Sequence, residues 1–307
     1  MICVTMEGRL GNQFFKYAYA RELMFRRGEN DELVIDFAPV LTHHHANNDG
    51  FEDSLCHFQT VSYTTSNRKL VFAKGSIIQK LVYAMYSLSR RISLLRNIGW
   101  TKILDRVGVV VRHNCYEPFD NICDTKILFL MGQCQLPLDF QDIKEQLRKE
   151  FTPIEPPLDS NAELYRVINS TNSVCVSVRR GDYLSDRYKK DFYVCDEQYF
   201  AKAMREIRKH VENPVLIFFS DDIEWVKKNI EVEGKAYYES GNDPVWEKLR
   251  LMYSCKHFIL SNSTFSWMAQ YLCANPEKVV VTPNRYYNNS DWANILLDDE
   301  SFIKIEC

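Results

Sequence analysis

Residues Ser177-Val178-Arg179-Arg180-Gly181-Asp182-Tyr183 follow directly on the apolar run Val174-Cys175-Val176. Two guanidinium groups therefore arrive together at the end of a buried strand. Neighbouring strand residues point to opposite faces, so one arginine can reach a ligand while the other is tied to the protein's own carboxylates. Gly181 permits a tight turn, and Asp182 then lies beside both cations. Such a cluster reads as an anion site; taken alone, these residues fit a salt-bridged strand end without ligand equally well. Two further strand ends join them. The run 215–219 ends in Ser220-Asp221-Asp222, and the run 258–260 ends in Ser261-Asn262-Ser263-Thr264. Ser263 and Thr264 open a helix whose first N–H groups and hydroxyls suit a phosphate, although an ordinary N-cap uses the same residue types. Asp221 and Asp222 fit a helix N-terminus, and one of them could instead accept the N1–H and amino group of a guanine.

The elements that must position these groups alternate regularly. Strands are predicted at 173–179, 215–219, 235–238, 257–261 and 278–281, with helices at 159–169, 196–210, 222–230, 244–254 and 264–274. Five such alternations make a parallel, doubly wound sheet with every strand end on one edge. The first half opens as another βαβ unit: a strand within residues 1–6, the loop Gly8-Arg9-Leu10-Gly11-Asn12-Gln13, a helix over 14–26 and a strand at 33–37. Further strands are predicted at 109–111 and 127–131, and a polar helix at 139–150. Prolines 153, 156 and 157 interrupt the pattern. A chain of 307 residues suits two domains of roughly 150 residues each, divided as 1–153 and 154–307 with a cleft between them.

Positive charge is concentrated in one segment. Between 66 and 106 the chain carries Arg68, Lys69, Lys74, Lys80, Arg90, Arg91, Arg96, Lys102 and Arg106 against the lone acid Asp105. Ile78, Leu81, Met85, Leu88, Ile92 and Leu95 recur at helical spacing, so part of it forms an amphipathic basic helix. Either its apolar stripe packs on the body, or it lies on an anionic membrane surface. The formal net charge of −3 predicts no general attraction to nucleic acid. The ten cysteines include no Cys-X-X-Cys pair, which argues against a zinc knuckle and fits free thiols in a reducing compartment. With no leader pattern and no run of about twenty apolar residues, a cytoplasmic protein is expected, peripheral at the inner membrane face if the basic helix binds lipid. No Asp-X-Asp, Walker-A, full G-X-G-X-X-G or Gly-X-Ser-X-Gly motif occurs, and His43-His44-His45 reads as a polar surface run rather than a metal site.

The blocks Gly8 to Ala18, Val178 to Tyr183, Phe219-Ser220-Asp221-Asp222 with Trp225, then Met252, Cys255, His257 and Ser261 to Trp267 resemble, in that order, the α-1,2-fucosyltransferases of glycosyltransferase family 11. The resemblance runs from residue 8 to about Pro283 and is poor over 40–125. It implies an α/β fold of GT-B architecture with two Rossmann-like domains, the C-terminal one binding donor. It also implies a GDP-fucose donor, inversion at the anomeric carbon, no metal or other cofactor, and a galactose-terminated glycan acceptor; the basic helix separately predicts a lipid-linked one. By that similarity Arg179 takes the diphosphate and Arg180 a structural ion pair. Gly11, Asp221, Asp222, Asn262, Ser263, Thr264 and Phe265 are expected around the donor. Arg9, Gln13 and Asp36 are expected on the acceptor side, with Asn12 bonding acceptor or diphosphate. Asp182 is the first candidate for the general base and Asp36 the second; Asp182 could equally serve only to orient an arginine. Two departures stand out: Ser177 occupies the place of a family histidine, and Gln133-Cys134-Gln135-Leu136-Pro137 replaces an aromatic-rich stretch.

Overall fold

The computed structural model describes residues 1–42, 50–66, 68–92, 99–112, 125–132, 134–135, 140–289 and 299–307. The chain divides into two compact units. Against the expected division after residue 153, the change falls between Glu150 and Phe151, and unit two also takes His57–Gln59 from the first half. That short piece bonds alongside residues 152–154: Phe58 and Pro153 form an antiparallel bridge, Gln59 N donates to Thr152 O, and Ile154 N donates to His57 O.

Unit one carries five strands: β1 (Ile2–Thr5), β2 (Leu33–Asp36), β3 (Tyr63–Ser66), β4 (Val109–Arg112) and β5 (Leu128–Gly132). They lie in the order β3-β2-β1-β5-β4 with every pairing parallel. The helix Leu10–Arg26 follows β1 and is buried over most of its circumference. It begins four residues earlier than expected, so Gly11, Asn12 and Gln13 occupy its first turn rather than a loop. Its buried Arg21 donates Nη2 to Glu150 at 2.9 Å and Nη1 to Glu29 at 2.8 Å, while Tyr17 donates to the same Glu150 carboxylate at 2.5 Å. This pairing is what lets a guanidinium stay in a closed interior.

Unit two carries six: β6 (Asn172–Val178), β7 (Pro214–Ser220), β8 (Ala236–Tyr238), β9 (His257–Ile259), β10 (Val280–Pro283) and β11 (Ile303–Ile305). The order is β11-β10-β9-β6-β7-β8, again all parallel. Numbered from β6, that is 3-2-1-4-5-6 read from the β8 edge, the order of doubly wound nucleotide-binding sheets. The core on one face collects Val174, Val176 and Val178 with Tyr199, Phe200, Ala203 and Ile207 of the helix Glu197–His210. That helix starts where Asp196 accepts the Tyr199 N–H at 2.9 Å, and closes on Arg208, Lys209 and His210, charges that suit its negative end. Two parallel-sheet α/β units in one chain are the composition of the GT-B class. Strands β3 and β11 are additions to the predicted set, both short and at sheet edges.

The basic segment departs most from expectation. Its main helix, Ile77–Ser89, buries Gln79, Tyr86 and Ser89. Ile77, Ile78, Leu81, Met85 and Leu88 are exposed, so the apolar stripe does not pack on the body. No described helix is long and apolar enough to cross a membrane.

His257 in β9 supplies a test. Its Nδ1 accepts the Val279 N–H at 3.1 Å, and burial, reinforced by Lys256, holds the ring below the ordinary imidazole range. The unfolded chain takes up a proton below about pH 6.5 while the folded site resists it. Stability is therefore full above about pH 6.5 and is lost as pH falls through that value toward the folded pKa. Urea unfolding between pH 7.5 and 5 should show this decline, and His257→Asn should flatten it; an unchanged slope would refute the assignment.

Candidate functional site

The site is built by strand register. β6 and β7 pair residue for residue up to Val178 opposite Ser220, so the next two residues of each strand meet in turn. Arg179 Nη1 contacts Asp221 Oδ2 at 2.6 Å, and its Nη2 donates to Asp182 Oδ1 at 2.5 Å. Burial opposes the Arg179 charge, but Asp221 and Asp182 outweigh it and raise its pKa above the ordinary arginine value. Arg180 sits over Trp225, its guanidinium carbon 3.3 Å from the ring centroid, with Asp222 Oδ2 3.4 Å from its Nε. Thus Arg179 carries two carboxylate contacts and Arg180 one. Asp222 also caps the helix Ile223–Asn229 through the Trp225 N–H, one of the two roles open to it in the sequence.

Gly181 opens the tight turn Gly181–Leu184 expected of it, and it has a second physical role. Its backbone is not in the left-handed region, but a Cβ there would stand 2.6 Å from Asp221 Oδ2. Glycine makes room for the carboxylate that bonds both Arg179 and the Arg180 N–H, the latter at 2.9 Å. Two cations against three carboxylates leave this cluster a formal charge of −1. An anion can bind only if a carboxylate yields or another positive group helps.

The second positive group is a helix end. β6 and β9 are adjacent yet lead to opposite sides of the sheet, so the switch point lies between them, where ligands of such sheets bind. After β9 the helix Thr264–Leu272 begins; Ser263 occupies its N-cap position, but its side chain makes no capping bond. Ser263, Thr264 and Phe265 are partly exposed there. Hydroxyls tie this end to the arginine strand: Ser266, buried in the first turn, lies 2.6 Å from Ser177 Oγ and 3.0 Å from Ser261 Oγ. Ser177 is therefore a packing partner of the helix. Tyr183 adds a second tie by donating to Asn262 O at 3.0 Å, and burial raises its phenol pKa.

Asn262, expected at the donor, uses both amide hydrogens within the protein, to Phe192 O at 2.9 Å and Tyr286 O at 2.8 Å. Gln13, expected on the acceptor side, is buried and donates to Gly8 O and Glu52 O while accepting from Ser54 N. Both are positioning residues. At the end of β2, Asp36 is buried, accepts the Ala38 N–H at 2.9 Å, and has its carboxyl pKa raised by burial. Arg9 precedes the first helix with its guanidinium 5.0 Å from the Phe51 ring centroid. Asn12 accepts from Gln135 Nε2 at 3.2 Å, and a Cβ at Gly8 would stand 2.4 Å from its Nδ2. Gly8 holds φ +73°, so this approach and this backbone both require glycine. His43 to His45, Gln133, Leu136 and Pro137 lie outside the described residues.

The roles of Trp225, Gly181 and the three serines were not read from the sequence. Their signal is the parallel register, which turns separate strand ends into neighbours. Gly181→Ala should cost about 1–3 kcal/mol through crowding of Asp221. In the Asp221→Ala background the same change should cost much less, measured by urea unfolding of the four proteins; additive losses would refute the contact.

Comparison with known proteins places the chain in a family. An α-1,2-colitosyltransferase of Escherichia coli is 34% identical over 54% of this chain and 59% of its own length. The human galactoside α-(1,2)-fucosyltransferase 1 is 32% identical over 54% of this chain and 45% of its own. The chain thus spans only about half the length of these two relatives. The crystal structure of the fucosyltransferase NodZ from Bradyrhizobium superposes with a TM-score of 0.46 at 11% identity, covering 88% of this chain and 91% of that one. The model of glycosyl transferase family 11 matches residues 1–302. This chain belongs to glycosyl transferase family 11.

Proposed function

We propose that the chain transfers L-fucose from GDP-fucose, with inversion and without a metal, to O-2 of a terminal galactose on a glycan. The observation that carries this reading is the convergence of Arg179 and the start of the Thr264–Leu272 helix on the switch point of the second sheet. In a single displacement the acceptor hydroxyl attacks the anomeric carbon. The bond from that carbon to the β-phosphate oxygen breaks, and its electron pair leaves with GDP. The transition state resembles an oxocarbenium ion, so charge grows on the departing phosphate. A guanidinium and a helix N-terminus stabilise that charge without a metal ion. Asp182 is the more exposed of the two carboxylates on Arg179, 37% against 25%. It would yield Arg179 to the diphosphate and, so freed, take the acceptor's proton.

A second reading is favoured by the colitosyltransferase relative: the same displacement with another GDP-linked deoxysugar. Competition between GDP-fucose and GDP-colitose for transfer separates the two.

GDP release from GDP-fucose, assayed in EDTA with lactose or lacto-N-biose, should depend on acceptor and yield a fucosylated product. GDP binding without transfer to any acceptor would overturn the proposal in favour of a nucleotide-sugar-binding protein. Arg179→Lys keeps one charge but loses the two-pronged contact, so kcat should fall roughly 100- to 1,000-fold while the circular dichroism stays unchanged. Turnover near that of the wild type would remove Arg179 from the mechanism.

A further inference from the structure

The Ile77–Ser89 helix is apolar on two faces. An ordinary surface helix turns its one apolar stripe to the core. Here Val82, Tyr83 and Tyr86 pack on the unit-one core, and polar groups anchor that same protein-facing side. Ser76 and Gln79 form a reciprocal capping box, and the Gln79 amide donates to Val107 O and Ile127 O, each at 2.9 Å. Tyr86 completes the contact by packing its ring on Trp100, centroids 6.0 Å apart. Ile77, Ile78, Leu81, Met85 and Leu88 then face outward at 77, 64, 60, 60 and 57% exposure. Five large apolar side chains on thirteen residues of one helix form a contiguous patch of the kind that marks an interaction surface.

The surroundings of that stripe select its occupant. Lys74, Lys80, Arg90 and Arg91 flank it on the same segment, and Lys102 and Arg106 lie on the neighbouring helix Trp100–Arg106. The one acid between 66 and 107, Asp105, is held by both terminal nitrogens of Arg112 at 3.0 and 2.9 Å. A second copy docking by a twofold axis would bring two basic rims together, and like charges oppose that pairing. An apolar stripe bordered by basic residues matches instead the boundary between acyl chains and anionic headgroups.

We infer that the Ile77–Ser89 helix is a docking surface for anionic phospholipid bilayers, with its outward apolar side chains entering the acyl boundary and its basic residues meeting the headgroups. This rests on unit one alone and is independent of which sugar is transferred.

Vesicle sedimentation tests it with the whole chain. Phosphatidylcholine vesicles containing 30% phosphatidylglycerol should retain the protein, and pure phosphatidylcholine vesicles should not. Retention should fall with added salt. Each charge removed should weaken the partition coefficient roughly fivefold, so Lys74→Gln with Lys80→Gln should give about a 25-fold loss. Leu81→Glu with Met85→Glu should abolish retention while leaving the thermal melting midpoint and soluble-acceptor turnover in place, because both positions are already exposed. Equal, weak retention on both vesicle types overturns the inference, as does anionic-vesicle binding that the Leu81 and Met85 changes leave intact. Sedimentation velocity adds one more outcome. A dimer that those two changes dissociate would assign the stripe to a second copy and overturn the inference likewise.

Discussion

The parallel pairing of β6 with β7 is the constraint on which the candidate site depends. Once Val178 stands opposite Ser220, an arginine pair and an aspartate pair are delivered side by side. No loop has to search for that geometry. A slip of one residue would turn every side chain of β6 to the other face of the sheet. Val174, Val176 and Val178 would then leave the core, so hydrophobic burial that has nothing to do with ligand fixes the ionic pairs to the ångström. The carboxylates in turn neutralise two guanidinium groups that stand partly buried, where unpaired charge would be costly. The same pairs compete with the anion this site is proposed to bind, and the outcome belongs to whichever carboxylate is easiest to move.

A second device recurs at three places. Gln13, Gln79 and Asn262 are each buried and each give both amide hydrogens to carbonyls of two separate segments. A carboxamide is suited to this because it is neutral, so it pays no ionic desolvation, and its two donors diverge. Backbone carbonyls that belong to neither helix nor sheet need partners when buried. In unit one the device holds the Gly8 turn and the amphipathic helix, and in unit two it holds the segment after β9 against residues 192 and 286.

Apolar runs were legible in the sequence: residues 173–178, 215–219 and the helix over 197–210 follow from their patterns because burial on both faces or on one stripe is written in residue type. β3 and β11 were not, since Tyr63-Thr64-Thr65-Ser66 and Ile303-Lys304-Ile305 are short edge strands with little buried surface. The Ile77–Ser89 periodicity predicted a helix but not its direction, because the stripe looks the same whether it faces core or solvent. At the site the charged residues were recognisable by type. Asn262 and Gln13 were expected beside ligand, and that their amide hydrogens go to backbone carbonyls was not legible, because a carboxamide within a motif carries no mark of its partner. The pairing of Arg180 with Trp225 spans more than forty residues and follows only after register is known.

The position of β6 has a consequence for synthesis on the ribosome. It is one of the two central strands of its sheet, yet its two neighbours come from very different distances along the chain: β7 is the next strand, whereas β9 begins at His257. At roughly 5–20 residues per second, several seconds pass between emergence of the two. During that interval one edge of an apolar strand, Val174-Cys175-Val176, is exposed without its partner and offers a template for pairing with another nascent chain. The yield of folded protein should therefore be limited by how well that edge is shielded before β9 arrives, a burden for chaperones that the finished molecule, with β6 fully enclosed, no longer displays.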